Sequence, residues 1–203
     1  MLHASQLTFQ HRSIGRRGDA KGTAAAHVHY ITRPTACTHF EAENMPIVRR
    51  DAMAYFDRLA EQPAERVNAR ICDKLIMAPP NDLAAFERHE VVRSFMRKLG
   101  HGRIAWCAAF HDAGKDHHNP HVHVVFRDRD IETNRRVIGT TTSLQYLRQA
   151  RLRGWTVPPF ATSEHLRLLW REHLAQFCAP RAAVAMPGAG ATSPPLPSTS
   201  DIR

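Results

Sequence analysis

Five histidines fall within the thirteen residues from His111 to His123. The end of that stretch, His121-Val122-His123, runs on into Val124, Val125 and Phe126. In a β-strand, residues two apart point to the same face. His121 and His123 are therefore expected to project together, with Val122, Val124 and Phe126 turned the other way into a core. Two imidazoles side by side on a rigid strand make half a metal site, and imidazole suits several divalent transition metals. His111 closes the preceding apolar run and is the candidate third ligand; His117 and His118 are the alternatives. The spacing is not that of a structural zinc finger with its paired Cys and His ligands. Three protein ligands with open positions would suit catalysis instead. Asp112 and Asp116 are either carboxylates that orient metal-bound imidazoles or plain loop acids.

The elements that must carry these groups follow from periodicity. In 103–110, Ile104, Trp106, Ala108 and Phe110 alternate onto one face of a strand, and Ala105, Cys107, Ala109 and His111 onto the other. Small residues beneath His111 leave room for a ligand. A short connection then returns the chain to strand 121–126, which predicts antiparallel pairing and brings His111 back towards His121 and His123. Elsewhere, residues 5–10 read as a strand and Arg12–Gly22 as a Gly- and Arg-rich loop. Thr23–Thr32 reads as a helix with the stripe Ala24, Val28 and Ile31, off which Tyr30 lies, and Pro34 stops it. Residues 35–50 read as a loop and Asp51–Ala60 as a helix. Ala69–Ala78 reads as a strand. Asn81 or Asp82 should cap a helix to Leu99, with Gly100 as its stop. A turn is expected at Asp128–Asn134. Ser163 should open a helix through Cys178, with Leu166, Leu169, Trp170, Leu174 and Phe177 on its apolar side. The reading is one α+β domain over residues 1–179, a central antiparallel sheet with helices mainly on one face. Residues 180–203, rich in Pro, Gly, Ser and Thr, are expected to be a disordered tail.

Charge points to the partner. The chain has 203 residues, with Lys plus Arg at 28, Asp plus Glu at 19 and a net charge of +9. Such an excess favours a polyanion, nucleic acid first. Arg12, Arg16, Arg17, Lys21 and Arg33 surround the Tyr30 segment, and Arg127 and Arg129 follow the histidine strand. Phosphate contact is their simplest functional role. Cys37, Cys72, Cys107 and Cys178 form no C-x-x-C pair, and buried thiols in a reducing cytoplasm are expected. No apolar run is long enough for a membrane span. Met1–Gln10 lacks the pattern of a signal peptide.

Taken together, these motifs resemble the MobA/MobL-type mobilisation relaxases of the HUH endonuclease superfamily. His121-Val122-His123, preceded by Asn119-Pro120, is similar to the element that names that superfamily. The segment Ala26 to Arg33 is similar to the family's first motif. Leu75 to Pro80 resembles its Pro-terminated strand, and Leu168 to Gln176 its tryptophan-centred helix. The resemblance covers roughly residues 5–178. It implies a relaxase-like palm fold and a bacterial cytoplasmic enzyme that nicks and rejoins one strand at a plasmid transfer origin. It implies Tyr30 as the nucleophile forming a 5′-phosphotyrosine, and Mg²⁺ or Mn²⁺ as the metal. Imidazole donors match Mn²⁺ better. The implied partners are single-stranded or hairpin DNA, accessory mobilisation proteins and a coupling protein. The chain departs from the pattern in two places. Relatives often carry an acid in the strand before the Pro turn, where Asp73 is the nearby carboxylate here. The loop between His111 and His121 is also longer, which keeps the third ligand open. A tyrosine phenol has a pKa near 10, so attack on a phosphodiester needs activation. The covalent link would store the energy for rejoining.

Overall fold

The alternating segments around the histidines form the middle of the molecule. The computed structural model describes residues 8–16, 19, 22–62, 69–116, 118–138, 152–154 and 163–184. The strands are β1 (Phe9–Gly15), β2 (His39–Glu43), β3 (Arg70–Met77), β4 (Ile104–His111) and β5 (His121–Asp130). The helices are α1 (Thr23–Ile31), α2 (Arg49–Glu61), α3 (Ala85–Gly100) and α4 (Ser163–Val184). One antiparallel sheet runs in the order β1-β3-β5-β4-β2. The α+β class, the antiparallel sheet and the adjacency of the two histidine strands match the sequence reading.

The placement of the helices does not. Among the described residues they cover both faces, two on each. Trp106, Ala108, Phe110, Val122, Val124, Phe126, Leu75 and Met77 pack against Val92, Phe95 and Met96 of α3 and Leu166, Trp170 and Leu174 of α4. The opposite face packs Ile14, Cys72, Cys107, Ala109 and Val125 against Val28 and Ile31 of α1 and Phe56 of α2. The reason is visible in β4, where every residue from Ile104 to His111 is buried. A strand buried along its whole length needs cover on both sides. On that face the small residues Cys107 and Ala109 share a core with α1 and α2, beside the ligand space the sequence predicts.

Two strands depart from the sequence pattern because their polar residues are paired. β1 extends through what reads as a loop. Its His11 and Ser13 side chains both bond Asp73 on β3, at 2.9 and 2.7 Å. β2, at the opposite edge, replaces part of the expected 35–50 loop. Its Glu41 and Glu43 are held by Arg93 and Arg97 of α3 at 2.7 and 2.8 Å. Neither strand shows the apolar alternation that marks a strand in sequence. Helix α3 starts later than Asn81 or Asp82. Its first turn is closed by the Glu87 carboxylate, which accepts from the Ala84 N–H at 2.8 Å. At the other end the left-handed residue is His101 (φ 52°). Gly100 serves close packing, since a Cβ there would lie 2.2 Å from Ile104 Cγ1. The expected disordered tail lies outside the described residues, apart from the last turn of α4.

Candidate metal centre

Strand pairing assembles the centre. His111 on β4 lies directly opposite His121 on β5, and His123 lies opposite Ala109. All three imidazoles therefore stand on one face, over a methyl-sized neighbour. Ring centroids are 5.1 Å apart for His111–His121, 4.7 Å for His111–His123 and 5.1 Å for His121–His123. One nitrogen of each lies within 4.8 Å of the others. Among the described residues this is the group of three or more ligand-type side chains that could hold a metal. His118 is exposed in the turn and is not part of it; His117 lies outside the described residues.

The hydrogen bonds leave lone pairs where a metal would need them. His111 Nε2 donates to the Ile31 carbonyl at 2.7 Å. His121 Nδ1 donates to the Asn119 carbonyl at 3.1 Å. Each imidazole keeps its second nitrogen unprotonated, as a metal ligand must. His123 Nδ1 is buried with no hydrogen-bond partner. An orphaned buried nitrogen is costly, and a metal ion would satisfy it. The donor set thus fits a divalent cation. The acceptors that orient His111 and His121 are backbone carbonyls. Asp112 turns away from the imidazoles, bonding Arg88 at 2.9 Å and Thr38. Asp116 supports the positive form of His111 only electrostatically.

Burial disfavours the charged form of two of the three imidazoles. It pushes His123 down to about 3, with His111 and His121 adding to the shift. It lowers His111 as well. His27 on α1 is pushed down to about 4 by burial, then by the nearby Lys74. In each case the folded-state pKa lies below the unfolded value of roughly 6.5. Between those limits the unfolded chain binds more protons, so stability rises with pH and is lost on acidification. The thermal midpoint of the metal-free protein should therefore fall as pH drops from about 7 to about 4. A midpoint that stays level across that window in scanning calorimetry would show that burial does not hold these rings neutral.

Helix α1 lies over the centre. Its Val28 and Ile31 are buried in the core, while Tyr30 is 57% exposed at the C-terminal end. The His27 ring sits 6.3 Å from that of His123, edge to face. The structure thus places His27 against the centre. The i, i+3 spacing of His27 and Tyr30 beside a buried stripe was the available signal. Arg33 Nη1 donates to the Tyr30 carbonyl at 2.8 Å, and its guanidinium lies 4.2 Å from the Tyr30 ring centroid.

The other basic candidates divide. Arg12 is largely exposed, 3.7 Å from Asp19. Arg16 is committed to structure: it donates to the carbonyls of Leu59, at 3.1 Å, and Gln62 at the end of α2. Arg127 bonds Asn134 at 2.8 Å, and Arg129 the Asn134 carbonyl at 2.7 Å. Arg17 and Lys21 lie outside the described residues. Asp73, the acid nearest to the family pattern, points to the far face. There it is fully buried and bonded to His11, Ser13 and Arg70. On the histidine face, strand β3 presents Lys74 and Ile76, with Ile76 paired to His123.

Comparison with known proteins agrees with this geometry. A model of the MobA/MobL family matches residues 23–178. A 43 kDa relaxation protein of Salmonella typhimurium is 29% identical over 136 residues, covering 61% of this chain and 35% of that protein. The match thus spans little more than a third of the relative's length. A solved structure from work on the molecular basis of vancomycin resistance transfer in Staphylococcus aureus superposes with a TM-score of 0.53 at 14% identity. The superposition covers 87% of this chain and 94% of that one, and it shows a shared fold. Among the described residues, no helix is long and apolar enough to cross a membrane. The matched region starts at the first residue of α1 and takes in Tyr30, all three converging histidines and most of α4: the chain belongs to the MobA/MobL family.

Proposed function

We propose that this chain is the nuclease part of a relaxase, which nicks and rejoins one DNA strand at a plasmid transfer origin through a 5′-phosphotyrosine on Tyr30. The observation that supports it most is the convergence of His111, His121 and His123 under the helix that carries Tyr30. The family match spans all four residues.

His111, His121 and His123 would hold Mg²⁺ or Mn²⁺, which when bound polarises a phosphate and neutralises charge as the attack proceeds. The rest falls to the protein. Tyr30 loses its phenolic proton and its oxygen bonds to phosphorus. The bond from phosphorus to the 3′ oxygen breaks, and that oxygen takes up a proton to leave as a 3′-OH. Reversal rejoins the strand, with no nucleotide cofactor consumed. Arg33, stacked on the Tyr30 ring, presents positive charge where the phosphate must lie.

The test is cleavage of single strands tiled from the DNA flanking the gene, with Mn²⁺ or Mg²⁺ supplied. One strand should give a covalent protein–DNA species and a free 3′-OH fragment, and chelation should suppress both. Binding without cleavage of any tile under either metal would refute the reading.

A further inference from the structure

We propose that Lys74 is an anion subsite beside the histidine centre, taking the backbone phosphate next to the one that Tyr30 would attack; this rests on the relaxase reading above. Strand register puts the ammonium there. Lys74 lies one same-face step along β3 from Ile76, the residue paired with His123, and is itself paired with Val125 on β5 and Arg12 on β1. Its side chain therefore rises from the histidine face, between the centre and the β1 edge. It is close enough to His27 to help keep that ring neutral, and His27 in turn packs against His123.

The charge there is unbalanced. Lys74 is partly buried, and burial followed by the neighbouring Arg12 lowers its pKa. Among the described residues it has neither a hydrogen bond nor an ion pair. Arg12 and Lys74 together face one nearby carboxylate, Asp19, which lies 3.7 Å from Arg12. A half-buried cation without a partner is expensive, and a bound anion would relieve it. A polyanion fits better than a small ion. Arg12 continues the positive track outward, and Lys74 lies a same-face step from the centre, so consecutive phosphates could occupy both. The strand thus carries a cation on the histidine face, and its carboxylate, Asp73, on the other. A carboxylate there would favour the metal, whereas an ammonium favours the DNA backbone.

The test measures binding to a thymidine homo-oligonucleotide across a salt series, with Mn²⁺ affinity determined separately by calorimetry. Lys74→Gln should weaken DNA binding about ten-fold, the scale of one charged contact. It should also flatten the plot of log affinity against log salt by about 0.7, the value for one phosphate on a single strand. Lys74→Arg should restore both. A neutral-backbone oligonucleotide should show no dependence on residue 74. Lys74→Glu should weaken DNA binding further yet tighten Mn²⁺ binding roughly three-fold, as expected when a positive charge near the site is reversed. A misfolded variant would not give opposite shifts. An unchanged salt slope in Lys74→Gln, or weaker Mn²⁺ binding in Lys74→Glu, overturns the subsite while leaving Tyr30 chemistry standing. Failure of the wild-type chain to bind DNA at all overturns both.

Discussion

Replacing His121 and His123 together with Ala should lower Mn²⁺ affinity by more than about 100-fold, because losing even an outer hydrogen-bond partner of a metal ligand costs about 10–100-fold. The fold should survive. His121 is partly exposed and bonds only a loop carbonyl. His123 Nδ1 has no partner to lose. His111 is a poorer test of the metal. It is 2% exposed and holds the Ile31 carbonyl. His111→Ala would leave that buried acceptor unpaired, at a cost of about 1–3 kcal/mol, and would loosen α1 with it. Titration calorimetry with Mn²⁺ and a thermal melt on the double variant separate these effects. Wild-type affinity in a folded double variant would remove the three histidines as ligands and point back to His117 or His118.

The centre was legible in sequence because strand geometry is local. The two-residue spacing of His121 and His123, and the alternation that put His111 on the face opposite Trp106, needed only the pleat. What could not be read was which element covers each face. Ala105, Cys107 and Ala109 are compatible with an open pocket and with a closely packed helix, and only long-range packing against α1 and α2 decides. The same limit hid β1 and β2. Their polar residues make sense once Asp73, Arg93 and Arg97 are seen opposite them, and those partners lie about 50 to 60 positions away. Asp73 shows the sharpest failure. The residue count placed a carboxylate near the expected position, yet strand parity assigns it to the far face and leaves Lys74 on the histidine face. A one-position difference on a strand changes the sign of the charge beside the centre.

Tyr30→Phe should abolish covalent attachment to DNA, by at least about a thousand-fold, because a missing nucleophile has no substitute within a single step. Little else should change. Tyr30 is 57% exposed and its ring packs under the Arg33 guanidinium, an interaction that a phenyl ring retains. Such an exposed cation–π contact is worth roughly 0.5–1 kcal/mol, so stability should shift by less than that. Mn²⁺ binding should be untouched, since the three imidazoles and their acceptors are intact. Mass spectrometry of the wild-type chain, after incubation with its cleaved strand and Mn²⁺, should place the adduct on the peptide containing Tyr30. Among the described residues the competing phenol is Tyr55 on α2. Burial raises its pKa, so it is harder to ionise. An adduct on Tyr55, or undiminished nicking by Tyr30→Phe, would leave the metal centre in place and remove α1 as the source of the nucleophile.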